Sequence, residues 1–568
     1  MRLFSEHNVR RVDSLDGAWR FSADKAGVGD TQGWSCAIPD ASTVVVPSCW
    51  NTQMGLLDYE GVCWYERDFY TEGGTLRFFF GAVMTEAKVY LDGNLIGSHY
   101  GGFCEFDIIV NDVACGTHRL TVRVDNSFDA QSIPQRVVDW YHYGGITRSV
   151  SVEVLKGVCV LYNRFEYELS ESLDSARARF AFEVYNASAD AVTDKIAASV
   201  CGVNYSTEVT LGGYERREVF TNYAEIAELE LWQPESPKLY DVAISTSTDD
   251  LKDRVGFRRV EVRGYEILLN GRPYEVRGVN RHEEHPEFGM AFPPALMRRD
   301  VDIAVEMGCN SLRGSHYPQA PVFIDMLDEY GVTFWSEIPI WGGGFSEECL
   351  ADPVVLARGE DMHREMVKCY YNHPSIIIWG MHNEIKSYTE NGKAMCDRYY
   401  PLLKEIGGNR LVTYATSRAL TDISLEYCDV ICINQYEGWY QGGIDTWEGF
   451  VADFHKRADS IGVGHKPIIM SEFGAAAVYG HRSFDTEIRW SEDYQARLIS
   501  HCLELFHADP KICGSYIWQF TDIRTCLEVG LTRARGYNNK GVVNEHRNPK
   551  ASYFAVKEIY NRFAREAK

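Results

Sequence analysis

Near Gly264 the residue pattern changes, and that change constrains the fold more than any other feature of this 568-residue chain. Beyond it, short apolar runs alternate with helix-like stretches. The runs are residues 274–279, 310–313, 332–335, 376–379, 411–414, 430–433, 468–470 and 515–518. Eight apolar strands interleaved with helices over about 300 residues fit a (β/α)8 TIM barrel. The stretch 321–330 opens with Pro321 at a first-turn position and stops at Gly331, a matched start and stop. Residues 494–506 carry apolar side chains at helical spacing, and 550–560 could supply the last helix. A doubly wound sheet is the structural alternative. It would need fewer strands and a Gly-rich phosphate loop, and no such loop occurs.

The residues before Gly264 read as β structure. Runs at 75–80, 87–91, 120–124 and 149–154 are bounded by Gly, Asp and Asn, and Asp92-Gly93-Asn94 is a turn signal. A second β-rich stretch spans roughly 158–262, with alternation at 180–184 and 240–244. Two β-sandwiches in series are expected, giving units at 1–156, 157–262 and 263–568. The formal charge of −24 argues against nucleic acid and anionic membranes as partners, and requires a locally basic pocket for any anionic substrate. There is no run of apolar residues long enough for a membrane helix and no signal-peptide core, so the expected location is cytoplasmic. Sixteen scattered cysteines without CxxC pairs read as reduced core residues.

In a TIM barrel, polar residues directly after apolar strands line the active site. The fourth strand leads into WGMHNE, which places Asn383 and Glu384 at the rim, and the seventh leads into IIMSEFG, which places Glu472 there. Two carboxylates facing each other over a cleft suit glycoside hydrolysis: one gives a proton to the leaving group, the other attacks the anomeric carbon. A retaining enzyme holds them about 5–5.5 Å apart. Taken singly, each glutamate could equally be a rim salt-bridge partner or a helix cap.

The chain resembles glycoside hydrolase family two along nearly its whole length. The shared motifs run from SLDGAWRF (14–21), GVCWYERDF (61–69) and YLDGNLIGSHYGGFCEF (90–106) through YGGITRSV (143–150) and LNGRPYEVRGVNRHEEHP (269–286). NSLRGSHYP (310–318), HNE and SEFG complete them. The resemblance implies a jelly-roll-like sandwich, an immunoglobulin-like sandwich and a catalytic barrel. It also implies Glu384 as acid/base, Glu472 as nucleophile, and Asn383 as the partner of the sugar's 2-hydroxyl. His316 and Asp139, the latter in DWYHYGG, look like family residues that reach the sugar. Trp518 offers a platform for the sugar face, and His282 either shapes the pocket or fills the core.

The segment RARGYNNKGVVNEHRNPK (533–550) resembles the β-glucuronidase stretch whose Asn-x-Lys motif, here Asn538-Asn539-Lys540, binds a uronic acid carboxylate. Arg533 or Arg535 could add a second charge, Arg535 being the site candidate. NQYEGWY (434–440) is also glucuronidase-like, with Asn434, Tyr436 and Tyr440 matching pocket residues. Gln435 and Glu437 depart from the pattern, and an acid near an anionic sugar is awkward. The expected substrate is a β-glucuronide. A β-galacturonide or both uronides comes next, then a neutral β-galactoside, then a non-catalytic carbohydrate-binding role. No cofactor and no required metal are expected, and relatives are often dimers or tetramers. The short connection from Ile338 to the next helix predicts a cleft open to bulky aglycones.

Overall fold

The structure, a computed structural model, describes residues 2–342 and 344–566. The first sandwich packs two antiparallel sheets. One runs in spatial order Arg11–Ser14, Val150–Leu155, Gly74–Phe80, Phe106–Val113. The other runs Ser42–Val46, Gly17–Ala23, Val62–Thr71, Gly116–Asp125, Glu86–Leu91, Asn94–Tyr100. The two-residue period of a strand explains the packing: Leu76, Phe78 and Phe80 of one sheet and Leu120, Val122 and Val124 of the other are all fully buried. Asp92 and Gly93 both take positive φ, 49° and 82°, and close the hairpin Glu86–Leu91/Asn94–Tyr100 as the turn signal implied.

The second sandwich pairs Val158–Leu169, Ala176–Asn186 and Arg216–Phe220 on one side. Val203–Leu211, Val192–Val200, Tyr240–Ser245 and Asp250–Val255 form the other. Phe180, Phe182 and Val184 face Ile196, Val242 and Ile244 in its core.

The barrel closes with eight parallel strands: β1 (Val276–Arg281), β2 (Ser311–Gly314), β3 (Thr333–Glu337), β4 (Ile376–Asn383), β5 (Leu411–Thr416), β6 (Ile431–Asn434), β7 (Ile468–Glu472) and β8 (Ile512–Ile517). Every residue of these strands except Arg277 is buried, which is why they read as continuous apolar runs rather than as alternation. β4 and β7 reach past the apolar runs, to Asn383 and Glu472, so polar chemistry sits at their C-terminal tips. β8 begins at Ile512, three residues before the expected start, because Gly514 interrupts the apolar signal there. The helix α1 (Pro321–Tyr330) starts on Pro321 and ends on Gly331 at φ 69°, as its sequence dictates. Helices α2 (Glu492–Ala508), capped by the Ser491 side chain, and α3 (Ala551–Glu566) complete the C-terminal half.

Three features join the units. Arg2 forms ion pairs with Asp325 of α1 at 2.9 Å and with Asp253 of the second sandwich at 3.2 Å. A cavity of about 320 Å³ lies along this seam, lined by residues of all three units, including Arg77, Asn163 and His373. A loop of the first sandwich meanwhile carries Trp140 onto the barrel mouth, where its ring lies 5.5 Å from His316 and 6.2 Å from Trp341. All sixteen cysteines are free. No helix among the described residues is long and apolar enough to cross a membrane.

Candidate active site

The strand tips of β2, β3, β4, β6 and β7 converge on one polar cluster beneath the barrel mouth. Arg313 on β2 is its hub. The guanidinium is fully buried and donates to Glu337 Oε1 and Oε2 at 2.8 and 3.0 Å. It also donates to Glu472 Oε1 at 3.1 Å and to Asn383 Oδ1 at 2.7 Å. A buried cation needs this saturation, and a planar fork supplies it in a way that a lysine could not. Glu337 also accepts from His316 Nδ1 at 2.7 Å.

Glu472, only 4% exposed, receives Arg313 on one oxygen and the Tyr436 hydroxyl on the other at 2.7 Å. Glu384 receives one amide, from Asn434 Nδ2 at 2.7 Å. That amide also reaches Asn383 Oδ1 at 3.0 Å. Burial, then the charge of Glu384, pushes the Glu472 carboxyl up to about 8, and burial raises Glu384 too. Carboxylates opposed in this way hold one proton between them near neutrality. The donors decide where it sits. Glu472 has a cation and a phenol to stabilise its charge, whereas Glu384 has a single neutral amide, so the proton belongs on Glu384 and the charge on Glu472. Glu384 takes φ 54°, a conformation that costs a non-glycine residue energy and is found where a site holds it in place. Its amide is fixed on Ala415 O at 2.8 Å, and a Cβ on Gly342 would stand 1.6 Å from its carbonyl. The loop after β3 can therefore lie across Glu384 only with glycine there.

Around these two lie groups with unused bonding capacity. Asn383 Nδ2, Asp139 Oδ1 and His282 Nε2 are buried without a partner among the described residues. His316 stacks on Trp518, centroids 5.0 Å apart at 15°, and burial, then Arg313, holds its pKa well below the usual histidine value. A neutral His316 that donates its Nδ1–H to Glu337 presents Nε2 as an acceptor, 3.8 Å from Glu472. His282 is likewise neutral, bonded to the Tyr317 hydroxyl at 3.2 Å and edge-on to Trp518.

A second group gathers at the outer rim. Lys540, 1% exposed, donates to the Tyr440 hydroxyl at 2.8 Å and lies over the Tyr440, Tyr436 and Trp439 rings. Burial would raise the Tyr440 phenol, but Lys540 and Arg533 together pull it below its ordinary value. Asp139, from the first sandwich, accepts from Arg533 at 2.7 Å and from Asn538 Nδ2 at 2.8 Å. From below, the buried Lys550 ammonium holds the Asn539 carbonyl at 3.0 Å and Asp522 at 2.7 Å, which pins the segment in place.

The structure thus brings together Asp139, His316, Asn383, Glu384, Asn434, Tyr436, Tyr440, Glu472, Trp518, Asn538 and Lys540. Arg535 stands apart: it pairs with Glu545 at 2.6 Å and with Asn539 at 3.0 Å, and Arg533 is the arginine beside Lys540 and Tyr440. Sequence reasoning chose Arg535 because spacing alone cannot tell which way two arginines point from a 3-10 turn. The Glu437 carboxylate accepts from Gln435, Gln441 and Thr446 of its own loop, each at 2.7 Å, so its oxygens are turned to partners within the loop. Arg313, Glu337, Trp140 and Lys550 were passed over. Arg313 and Glu337 stand at apolar strand ends, the signal that located Glu384, and Trp140 is next to Asp139. Two clusters of potential metal ligands occur among the described residues, His7/Asp249/Asp250 and Asp325/Asp328/His373. In each, arginines or backbone amides already occupy carboxylate oxygens.

Comparison with known proteins accounts for nearly the whole chain. Residues 12–155 match the sugar binding domain of glycosyl hydrolases family 2, residues 163–258 a second domain of that family, and residues 260–565 its TIM barrel domain. The chain is 26% identical to a β-glucuronidase of Paenibacillus borealis over 96% of both chains. It is 27% identical to human β-glucuronidase over 99% of this chain and 93% of that one. Among solved structures, it superposes on a β-galacturonidase from Eisenbergiella tayi bound to galacturonate with a TM-score of 0.92, at 33% identity and 99% coverage of both chains. A Ruminococcus gnavus β-glucuronidase in complex with D-glucuronic acid gives 0.86 at 26% identity, again over 99% of both. The three matches follow one another along the chain in the order of the two sandwiches and the closed barrel, and the chain belongs to glycoside hydrolase family 2.

Proposed function

We propose that this protein is a retaining, exo-acting β-uronidase. Ionised Glu472 attacks the anomeric carbon as Glu384 gives its proton to the departing oxygen, leaving a glycosyl ester on Glu472. Glu384, now a carboxylate, takes a proton from water, which displaces Glu472 and releases the sugar with its configuration kept. Asn383 Nδ2 is free to bond the 2-hydroxyl, a contact that strengthens as charge develops on the ring. Trp518 and His316 form one wall of the sugar pocket.

The observation that carries the uronic acid is Lys540. Its ammonium is buried, yet among the described residues it has no carboxylate at ion-pair distance, only phenol and indole faces. A buried cation without a counter-ion is costly, and a C6 carboxylate would supply one. Asn538 is placed beside it, its side chain fixed by Asp139 and the Lys540 amide. Among the C4 epimers, the sequence put the glucuronide first. The higher identity to a β-galacturonidase, 33% against 26–27% for the β-glucuronidases, and the departures at Gln435 and Glu437 favour the galacturonide.

The test is a panel of chromogenic β-glycosides: galacturonide, glucuronide, galactoside, glucoside and mannoside. Both uronides are expected to exceed their neutral counterparts in kcat/KM by roughly 100-fold, about two steps of 1.4 kcal/mol. A galactoside that matches the galacturonide would overturn the uronide reading. Proton NMR of the first product should show the β-anomer; release of the α-anomer would overturn retention.

A further inference from the structure

Every cation described so far is engaged: Arg313 by Glu337 and Glu472, Arg533 by Asp139, and Lys540 by Tyr440. Arg418 is not. Beyond β5 the chain turns through residues 417–419 alongside Glu384, whose amide is bound to Ala415 O, three residues before Arg418. The Arg418 backbone is fixed at both ends. Its N–H donates to Thr416 Oγ1 at 3.1 Å, and its carbonyl accepts from the amides of Thr421 and Asp422 at 2.8 and 2.9 Å. The side chain is exposed, and among the described residues its guanidinium has no ion pair, hydrogen bond or aromatic partner. With no partner of its own, this guanidinium leaves a positive charge available to a ligand in a chain whose net charge of −24 would otherwise repel an anion.

Its side of the cleft follows from the chemistry. A general acid stands by the departing oxygen, and Glu384 is at the tip of β4, next to β5 in the barrel wall. The uronate anchor, Lys540, lies past the end of β8, three strands further round. Arg418 therefore stands on the Glu384 side of the barrel mouth, away from Lys540. Its charge reaches Glu384, where it acts against the rise that burial imposes.

On the reading of Glu384 as the acid, we propose that Arg418 forms a cationic leaving-group subsite, which selects substrates whose aglycone bears a carboxylate or sulfate close to the scissile bond, as an acidic glycan does. The subsite supplies attraction and orientation, and it takes no part in bond breaking.

The experiment compares 4-carboxyphenyl and 4-carbamoylphenyl β-uronides, alike in shape and different in charge. Taking the anionic-to-neutral ratio of kcat/KM for each variant cancels any difference in leaving-group reactivity. The wild-type ratio should fall about fivefold in Arg418→Ala and further in Arg418→Glu, while Arg418→Lys keeps most of it. Salt at about 0.5 M should bring the wild-type ratio towards that of Arg418→Ala. A ratio unchanged in both Arg418→Ala and Arg418→Glu overturns the proposal. So does a parallel loss on both substrates, which would make Arg418 a structural residue of the turn. Should Arg418→Ala lose all turnover, the ratio in Arg418→Lys and its salt dependence decide. If wild-type enzyme hydrolyses neither compound nor any other uronide in the panel, it is the uronidase reading that has failed.

Discussion

The two poles of the site are built differently. At the inner pole, Glu384, Glu472, Asn383 and Arg313 come from strand tips of a closed barrel, and each is fixed by partners that are themselves buried. At the outer pole, Lys540, Arg533 and Asn538 come from the segment after β8 and Asp139 from a loop of a different sandwich, and side-chain bonds between the two segments hold them together. The contrast separates chemistry from selection. Strand geometry can hardly change without reopening the barrel, whereas a loop can exchange one side chain for another at small cost. A family built this way can keep one reaction and vary the sugar.

Substitutions test that division. The largest effect is expected from Glu472→Gln, which removes the proposed nucleophile: kcat/KM should fall by about four orders of magnitude or more on every substrate, with sugar binding retained. Loss confined to uronides would break the separation. Next is Glu384→Gln, measured on aryl glycosides of graded leaving-group ability. Poor leaving groups should lose roughly 100- to 10,000-fold and good ones much less, because only the former need the proton. The same variant bears on pH. Wild-type kcat/KM should fall as pH rises through the raised pKa of Glu384, where the acid loses its proton, and the variant should lack that alkaline limb.

At the outer pole, Lys540→Ala should cut kcat/KM on the uronide by roughly 30- to 1000-fold, about 2–4 kcal/mol, and do little to residual activity on the matching neutral glycoside. Parallel loss on both would mean that Lys540 holds the loop rather than the substrate. The smallest effect is on stability. Burial, and for Glu472 the charge of Glu384, raises both carboxyls above their unfolded values, so each charge the pair takes on as pH rises, the first on Glu472, costs the fold stability. Glu472→Gln keeps the shape without the charge. Its melting temperature should exceed that of wild type by about 1–3 °C near pH 8, with the gap closing towards pH 5. A gap that widens on acidification would contradict the placement of charge on Glu472.

Legibility followed the same division. The eight barrel strands were readable because strands covered on both faces must be apolar throughout, and their polar tips pointed to Glu384 and Glu472. The helix 321–330 was readable from its proline and glycine alone. Arg313 and Glu337 obey the strand-tip rule but fell within or just past the apolar runs, where an arginine reads as interruption rather than as hub. The rim was harder. Whether Arg533 or Arg535 faces Lys540 depends on a residue at φ 62° in a short turn, which composition does not encode. Whether Glu437 opposes an anionic sugar depends on three donors gathered from positions 435, 441 and 446. Arg418 had no sequence signal at all, since its distinction is the partner it lacks.

The bond between Asp139 and Arg533 joins residues 394 positions apart, and Trp140 caps a barrel made entirely after it. At ordinary rates of synthesis a ribosome would deliver Asp139 roughly 20–80 s before Arg533. The amino-terminal sandwich must wait, folded or held, with its contribution to the cleft facing water until the last strands arrive. Turnover would then be the final event in the birth of the molecule. A nascent-chain assay that reads released chromophore would record the docking of this sandwich on the finished barrel.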